Sequence, residues 1–150
     1  MRLSKKSEYA LRALVYAARF PQGTTFQIRD LAAKNGIPKK FLELILLELK
    51  NAGLLESRRG VGGGYLLARR PEAIRAVEII EVFEGPISAP APAKGAGKAG
   101  RPEPSLALSR LVAEAAGAMA AVLSRWTLAD LVREEDEAAE RRRRNVMYFI

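Results

Sequence analysis

Seven residues in the middle of the chain, Arg58–Gly64, include four glycines and lie between two short apolar runs. The runs are Leu54-Leu55-Glu56-Ser57 and Tyr65-Leu66-Leu67-Ala68, and each has the length of a β-strand. Glycine reaches backbone conformations that a side chain forbids, so such a segment reverses the chain direction easily. The pattern predicts a β-hairpin with Arg58 and Arg59 next to a flexible tip.

Three amphipathic helices are predicted before the hairpin, because apolar residues recur there every three or four positions. Groups of proline, glycine and asparagine separate them. The predicted helices cover Ser4–Phe20, Ile28–Lys34 and Pro38–Asn51. Three helices followed by a hairpin indicate a mainly α-helical chain with a winged helix-turn-helix. A fourth helix over Ile74–Phe83 completes this DNA-binding domain, which we assign to residues 1–85.

Composition divides the second half of the chain into three parts. Residues 86–104 contain five prolines and three glycines without apolar periodicity, which is typical of a flexible loop. In residues 105–133, Ser105 is predicted to begin a long helix, and a short helix is predicted over Thr127–Val132. Residues 134–150 are predicted to form a charged tail whose last five residues are apolar.

The long helix carries an apolar seam along one side. Its members alternate in steps of four and three residues, which is the heptad pattern of helices that pair along their length. They are Leu108, Val112, Ala115, Met119, Val122 and Trp126. The seam packs either on the chain's own core or on a second copy. A helix reached across a long loop favours the second copy, and a twofold-symmetric homodimer requires a palindromic operator.

The composition excludes several classes of chemistry. The 150 residues contain no cysteine and no histidine, so disulfides, thiolate metal sites, cysteine nucleophiles and histidine acid–base catalysis are absent. We therefore expect no enzyme, no metal and no cofactor. No uncharged apolar run approaches the ~18 residues of a membrane span, and the start does not resemble a signal peptide. These features predict a cytoplasmic protein without a membrane partner.

The net charge of +8 is unevenly distributed. Residues 1–70 hold 14 Lys and Arg against 5 Asp and Glu, whereas residues 71–150 hold 11 against 12. A basic half joined to a nearly neutral half predicts a polyanionic partner for the first half alone. Together with the helix-turn-helix pattern, this charge predicts binding to double-stranded DNA.

The candidate DNA contacts lie on the third helix and on the hairpin. The second helix of a helix-turn-helix enters the major groove by its N-terminal end, which here offers Lys39, Lys40, Phe41 and Glu43. Alternatively, the lysines are only solvated and Glu43 pairs with one of them. The hairpin residues Arg58, Arg59, Gly62 and Gly63 are predicted to meet a narrow minor groove, which attracts arginine. Alternatively, they form a plain hairpin with solvated arginines.

Three stretches of the chain resemble the Rrf-two (Rrf2) family of bacterial regulators. They are MRLSKKSEYALRAL, IPKKFLELILLELKNAGLLESRRGVGGGYLLARRPEAI and EIIEVFEGPIS, and the match covers about residues 1–88. The resemblance implies a DNA-binding transcription factor whose recognition helix faces bases and phosphates through the four residues named above. It also implies that Arg59 enters the minor groove. The implied contacts to the DNA backbone are Arg2, Ser4, Lys5 and Tyr9.

The chain departs from the cluster-binding members of this family. Those members hold an iron–sulfur cluster with three cysteines in the loop after the fourth helix, and residues 89–99 contain no thiol. A cluster of that kind cannot form here. A cysteine-less branch, which represses genes of cysteine metabolism, fits better. It is similar in EGPIS, in TLADL and in the final residues Met147-Tyr148-Phe149-Ile150.

The resemblance to this branch implies a protein partner. The branch binds cysteine synthase (O-acetylserine sulfhydrylase), whose cleft would receive Tyr148, Phe149 and Ile150, with a free carboxylate in the place of the substrate carboxylate. Arg141–Arg144 depart from the acidic tail of that branch. If the apolar end does not bind the enzyme, it is either a frayed terminus or a segment that folds back on the dimer. Two further alternatives are a regulator with another, thiol-free signal and an interaction protein that modulates cysteine synthase.

Overall fold

The order of helices and strands is that of a winged helix-turn-helix followed by two long helices. The computed structural model describes residues 1–87 and 105–149, so most of the predicted loop over 86–104 lies outside the described residues. A 3₁₀ turn over Pro71–Ala73 precedes the fourth helix. The elements are α1 Lys5–Ala18, α2 Ile28–Asn35, α3 Lys39–Asn51, β1 Leu55–Arg58, β2 Gly64–Leu67, α4 Ala76–Glu84, α5 Leu106–Arg125 and α6 Leu128–Met147.

The hydrophobic core forms where α1, α3 and α4 meet the base of the hairpin. On α3 the buried side chains are Leu42, Ile45, Leu46 and Leu49, the stripe that the apolar spacing predicts. Each fully buried leucine or isoleucine contributes about 1.5–3 kcal/mol relative to an exposed one. This burial fixes the rotation of α3 about its axis and leaves its opposite face directed outward.

The start of α6 is part of the same core, which the sequence pattern does not predict. Leu128 is completely buried among the residues of the winged helix. Its amide donates to the carbonyl of Ile74 over 2.8 Å, and the amide of Ala76 donates to the carbonyl of Trp126 over 2.8 Å. The guanidinium of Arg75 donates to the carbonyl of Ser124 over 2.7 Å. The junction of α5 and α6 is therefore attached to the backbone that leads into α4.

The sequence prediction of a short helix from Thr127 to Val132 is wrong in length, because α6 continues to Met147. Its predicted beginning is confirmed: the Thr127 hydroxyl accepts from the amide of Asp130, whose carboxylate accepts from the amide of Thr127. Residues 134–147 contain neither glycine nor proline, so nothing in them breaks a helix. The pairs Glu137–Arg141 and Glu140–Arg144 add about 0.3–0.5 kcal/mol each.

Helix α5 contacts α4 and has no fully buried residue, although Met119, Ala120 and Leu123 are half-buried. Ser105 caps it as predicted, by accepting from the amide of Leu108. The seam residues Leu108, Val112, Ala115, Val122 and Trp126 are exposed, whereas Met119 is half-buried on its own chain. Pairing of the seam with a second copy stays a prediction. Trp126 follows the helix in an extended conformation.

By length and composition alone, α5 is long and apolar enough to cross a membrane. The expectation that no uncharged apolar run approaches ~18 residues still holds, because Arg110 and Glu114 lie within the helix. Charged side chains inside a membrane are costly and lie against a partner or water. A helix that is covered by a second protein chain can have the same length and the same apolar composition as a membrane-spanning helix.

Candidate nucleic-acid interface

The beginning of α3 presents its polar side chains to solvent. The turn before it uses Gly36 in the left-handed conformation, with φ of 62°, and Pro38 as the N-cap. Lys39, Lys40 and Glu43 are exposed. In the part of the chain that the structure describes, none of these three forms an ion pair. Their charges are therefore available to an external partner.

The start of α1 lies beside the start of α3, and aromatic contacts connect them. The ring of Tyr9 meets the ring of Phe41 edge to face, with centroids 5.6 Å apart, a preferred geometry for aromatic pairs. The ammonium of Lys5 lies 5.9 Å from the Tyr9 ring centroid and 3.0 Å from the carboxylate of Glu8. The ammonium of Lys6 binds Glu48 of α3 over 2.8 Å. These contacts place two of the predicted backbone contacts, Lys5 and Tyr9, next to the recognition helix.

The side chain of Glu84 holds the N-terminal segment in place. It accepts from the amide of Ser4 over 2.8 Å and from the hydroxyl of Ser7 over 2.5 Å. The Ser7 hydroxyl, and after it Ser4, hold the pKa of Glu84 below its ordinary value, so the carboxylate is ionised at neutral pH. The hydroxyl of Ser4 also caps α1 by accepting from the amide of Ser7. Arg2, two residues before Ser4, is exposed.

The hairpin arginines are exposed, and the hairpin itself is anchored. Arg58 lies in β1 opposite Gly64, and Arg59 follows it toward the tip. Residues 25–27 run alongside β2 as a third extended segment. The amide of Phe26 donates to the carbonyl of Tyr65 over 2.6 Å, and the reverse bond measures 2.9 Å. This attachment limits the freedom that the sequence pattern predicts for the hairpin.

The glycine side of the wing is held by side chains of the same segment. The hydroxyl of Thr25 donates to the carbonyl of Gly62 over 2.8 Å, and the amide of Gln27 donates to the carbonyl of Gly63. A Cβ at Gly63 would overlap the carbonyl of Arg58. The glycines therefore permit close backbone approach as well as turning. The three residues Thr-Phe-Gln are too short a run to predict a strand, which is why the sequence pattern misses them.

The apolar end of the chain projects into solvent. Tyr148 and Phe149 are 87% and 92% exposed, so neither packs on its own protomer. Ile150 lies outside the described residues. Arg141–Arg144 form the last full turn of α6 before this apolar end. Helix α1 contacts both α6 and α3.

The sequence and the arrangement of helices and strands are matched in known proteins. The model of the Rrf2 family, which is described as an iron-dependent transcriptional regulator, matches residues 3–134. The chain belongs to the Rrf2 family. An HTH-type transcriptional regulator of Mycobacterium tuberculosis strain H37Rv is 38% identical over 131 residues, which cover 87% of this chain and 81% of the relative.

Relatives and solved structures with established names agree with this membership. The HTH-type transcriptional regulator IscR of Yersinia pseudotuberculosis is 31% identical over 144 residues, covering 94% of this chain and 86% of IscR. The structure of CymR, the global cysteine regulator of Bacillus subtilis, matches with a TM-score of 0.72 at 31% identity, covering 89% of this chain and 98% of CymR. The chain is a DNA-binding transcriptional regulator of the helix-turn-helix type and not an enzyme.

The family description names iron, but the donor atoms of this chain do not suit a cysteine-ligated cluster. The sequence offers no thiolate and no imidazole. Within residues 1–87 and 105–149, no three carboxylates lie close enough to hold a metal ion. Residues 89–99, where the resemblance places the cluster loop, lie outside the described residues.

Proposed function

We propose that this Rrf2-family protein is a cytoplasmic, homodimeric repressor that binds a palindromic operator. The observation that carries the proposal is the outward face of α3, where Lys39, Lys40 and Glu43 point to solvent without internal ion pairs among the described residues. Lysine binds phosphate or guanine, whereas a carboxylate accepts from the N4 amino group of cytosine. A carboxylate weakens nonspecific binding to a polyanion, so its presence here favours sequence-specific reading.

The proposed dimer uses the exposed seam of α5. Leu108, Val112 and Val122 are each more than two fifths exposed and lie on one side of the helix. Pairing two such helices removes this apolar surface from water, at about 25 cal/mol per Å². A twofold axis through the paired helices repeats the recognition helix, and half-sites about one DNA turn apart then suit both copies.

We expect the DNA contacts to divide by type. Replacing Arg59 with Ala should weaken binding to all duplexes and reduce the salt dependence by about one phosphate contact. Replacing Glu43 with Ala should instead relax the preference among sequences, with a discrimination loss of about 1–3 kcal/mol. Titrations of an operator fragment and of a random duplex at several salt concentrations measure both effects.

The matched control for these variants is Arg142→Ala, which removes an exposed arginine from α6. It should leave both the affinity and the sequence preference unchanged. If the Glu43 variant, like the Arg59 variant, lost equal affinity on specific and random duplexes, the assignment of Glu43 to base reading and of Arg59 to sequence-independent contact would be rejected.

For the signal, we propose control through cysteine synthase in a regulon of sulfur or cysteine metabolism. Two observations support it. CymR, which is similar to this chain over most of its length, is a global cysteine regulator. The apolar residues Tyr148 and Phe149 extend from the end of α6 and are almost fully exposed. Exposed aromatic side chains are common anchors in protein interfaces.

We expect the double variant Tyr148→Asp, Phe149→Asp to lose binding to cysteine synthase while DNA binding by the free regulator is retained. The charged side chains cannot enter an apolar cleft without a large desolvation cost. Mixing each protein with the purified enzyme and following the fluorescence of its pyridoxal phosphate measures the complex. The control Glu135→Ala changes an exposed residue elsewhere on α6 and should bind the enzyme normally.

Two results would contradict control of the regulator through cysteine synthase. If the double variant and the unchanged protein both failed to alter the cofactor fluorescence, the regulator would respond to something other than cysteine synthase. If the complex formed but the protein showed no sequence preference on DNA, the chain would act only as a modulator of the enzyme. The two measurements together separate these alternatives.

A further inference from the structure

Two large apolar side chains lie on the outward face of the recognition helix, among the charged residues. Leu44 is 54% exposed and Leu47 is 46% exposed. With 3.6 residues per turn, positions 40, 43, 44 and 47 share one side of α3, opposite the buried stripe. Single exposed leucines are ordinary on protein surfaces. The exposure of Leu44 therefore indicates a binding site only in combination with the residues next to it.

Leu44 forms one wall of an open groove between α1 and α3. The groove has a volume of about 540 Å³. Its other lining residues are Lys5, Tyr9, Pro38, Lys40 and Phe41. The edge-to-face contact of Tyr9 with Phe41 fixes the aromatic part of the lining. Of the two lysines in the lining, Lys5 binds the carboxylate of Glu8 over 3.0 Å, whereas Lys40 forms no ion pair among the described residues. The groove is therefore lined mainly by apolar side chains and carries the unpaired charge of Lys40.

The chemistry of this groove selects its occupant. The unpaired charge of Lys40 favours a polyanion, and Lys40, Phe41 and Leu44 belong to the part of α3 that is proposed to enter the major groove of DNA. The apolar group that double-stranded DNA displays in the major groove is the C5-methyl group of thymine. A thymine methyl group next to a phosphate that Lys40 binds matches both the apolar lining and the unpaired charge.

We propose that Leu44, together with Phe41, determines specificity by receiving a thymine methyl group in each half-site. This inference rests on the proposed DNA-binding function and adds one base to what α3 reads. Glu43, the preceding residue, then faces an adjacent base pair in the major groove of the DNA. Leu44 supplies apolar contact where Glu43 supplies a hydrogen-bond acceptor, so the two residues distinguish thymine from cytosine at neighbouring positions.

The test begins with selection from a pool of random duplexes by the full-length protein and by Leu44→Gln. Glutamine keeps helix propensity and length but replaces the apolar side chain. The expected result is that the variant loses the preference for thymine at one position in each half-site and keeps the rest of the motif. Thermal unfolding monitored by circular dichroism checks that the variant is folded.

The second step removes the methyl group from the DNA instead of from the protein. The selected thymine is replaced by uracil, which leaves the hydrogen-bonding groups unchanged. The unchanged protein should bind about fourfold more weakly for one substituted half-site and about 15-fold more weakly for both, which is the contribution of one buried methyl-sized group in each. Leu44→Gln should bind the thymine and uracil duplexes equally.

The matched control is Leu47→Gln, which changes an exposed leucine of the same helix outside the groove. It should keep the thymine preference and the sensitivity to uracil. Equal sensitivity of the Leu44 variant and the unchanged protein to uracil, or an unaltered selected motif, would overturn the inference and point to a protein as the occupant of the groove. If the unchanged protein selected no motif at all, the proposed operator binding would fail instead.

Discussion

Replacing Val122 with Asp should convert the protein to a monomer and lower its affinity for an operator by about 10²–10⁴-fold. The charge would lie unpaired in the apolar seam, where burial costs several kcal/mol. Each monomer would then hold a single half-site and lose the gain in effective concentration that linkage provides. Sedimentation velocity measures the oligomeric state, and titration of a palindromic duplex measures the affinity.

Ala113→Asp is the matched control for this prediction. Ala113 is exposed on α5 but lies off the seam, so the same charge there should leave both the dimer and the affinity intact. A Val122 variant that sedimented as a dimer would show that the seam of α5 is not the contact between the two copies. The apolar face of α5 would then need another partner.

Replacing Gly64 with Ala should detach the wing and destabilise the protein. Gly64 has φ of 145°, and a Cβ at this position would overlap the carbonyl of Phe26. The backbone strain alone costs on the order of 1–3 kcal/mol, and relieving the overlap breaks the pairing of Phe26 with Tyr65. Urea unfolding should show the lost stability, and DNA affinity should fall because Arg59 is displaced.

Gly60→Ala separates the backbone strain from the overlap with Phe26. Gly60 also has a positive φ, of 96°, but a Cβ there would meet no atom within 4 Å. This variant should lose about 1 kcal/mol from the left-handed conformation and keep the wing in place. Equal losses of stability and DNA affinity in the two variants would contradict the role of the close approach to Phe26.

The elements that the sequence predicts well are those with strong local signals. The buried stripe of α3 follows from apolar spacing, and the hairpin follows from its glycines. The caps at Ser105 and Thr127 are also local, because a hydroxyl three residues before a free amide is visible in the sequence. Such features depend on neighbours within one turn and need no knowledge of the tertiary fold.

The features that the sequence misses depend on contacts between distant segments. Nothing local to Leu128 shows that it is buried beside Ile74, and nothing local to Thr25 shows that it supports the wing. The length of α6 is missed for a different reason. A highly charged run resembles a solvated tail by composition, although its glutamates and arginines lie four residues apart and favour a helix.

The candidate site divides in the same way. The positions of Lys39, Lys40 and Glu43 on an outward face follow from helical periodicity, and the structure places them there. Helical periodicity does not predict the groove beside Leu44, because two of its lining residues, Lys5 and Tyr9, belong to α1. An exposed leucine on a helix is unremarkable until the neighbouring helix is placed next to it.

The central claim is that this chain reads a palindrome as a dimer through α3. Footprinting of the purified protein on fragments of genomic DNA tests it most directly. The account predicts two protected half-sites with inverted sequence, centred about 10 base pairs or a multiple of that apart, and loss of both with Val122→Asp. Protection of a single unrepeated site, or uniform binding without preferred sequences, would contradict it.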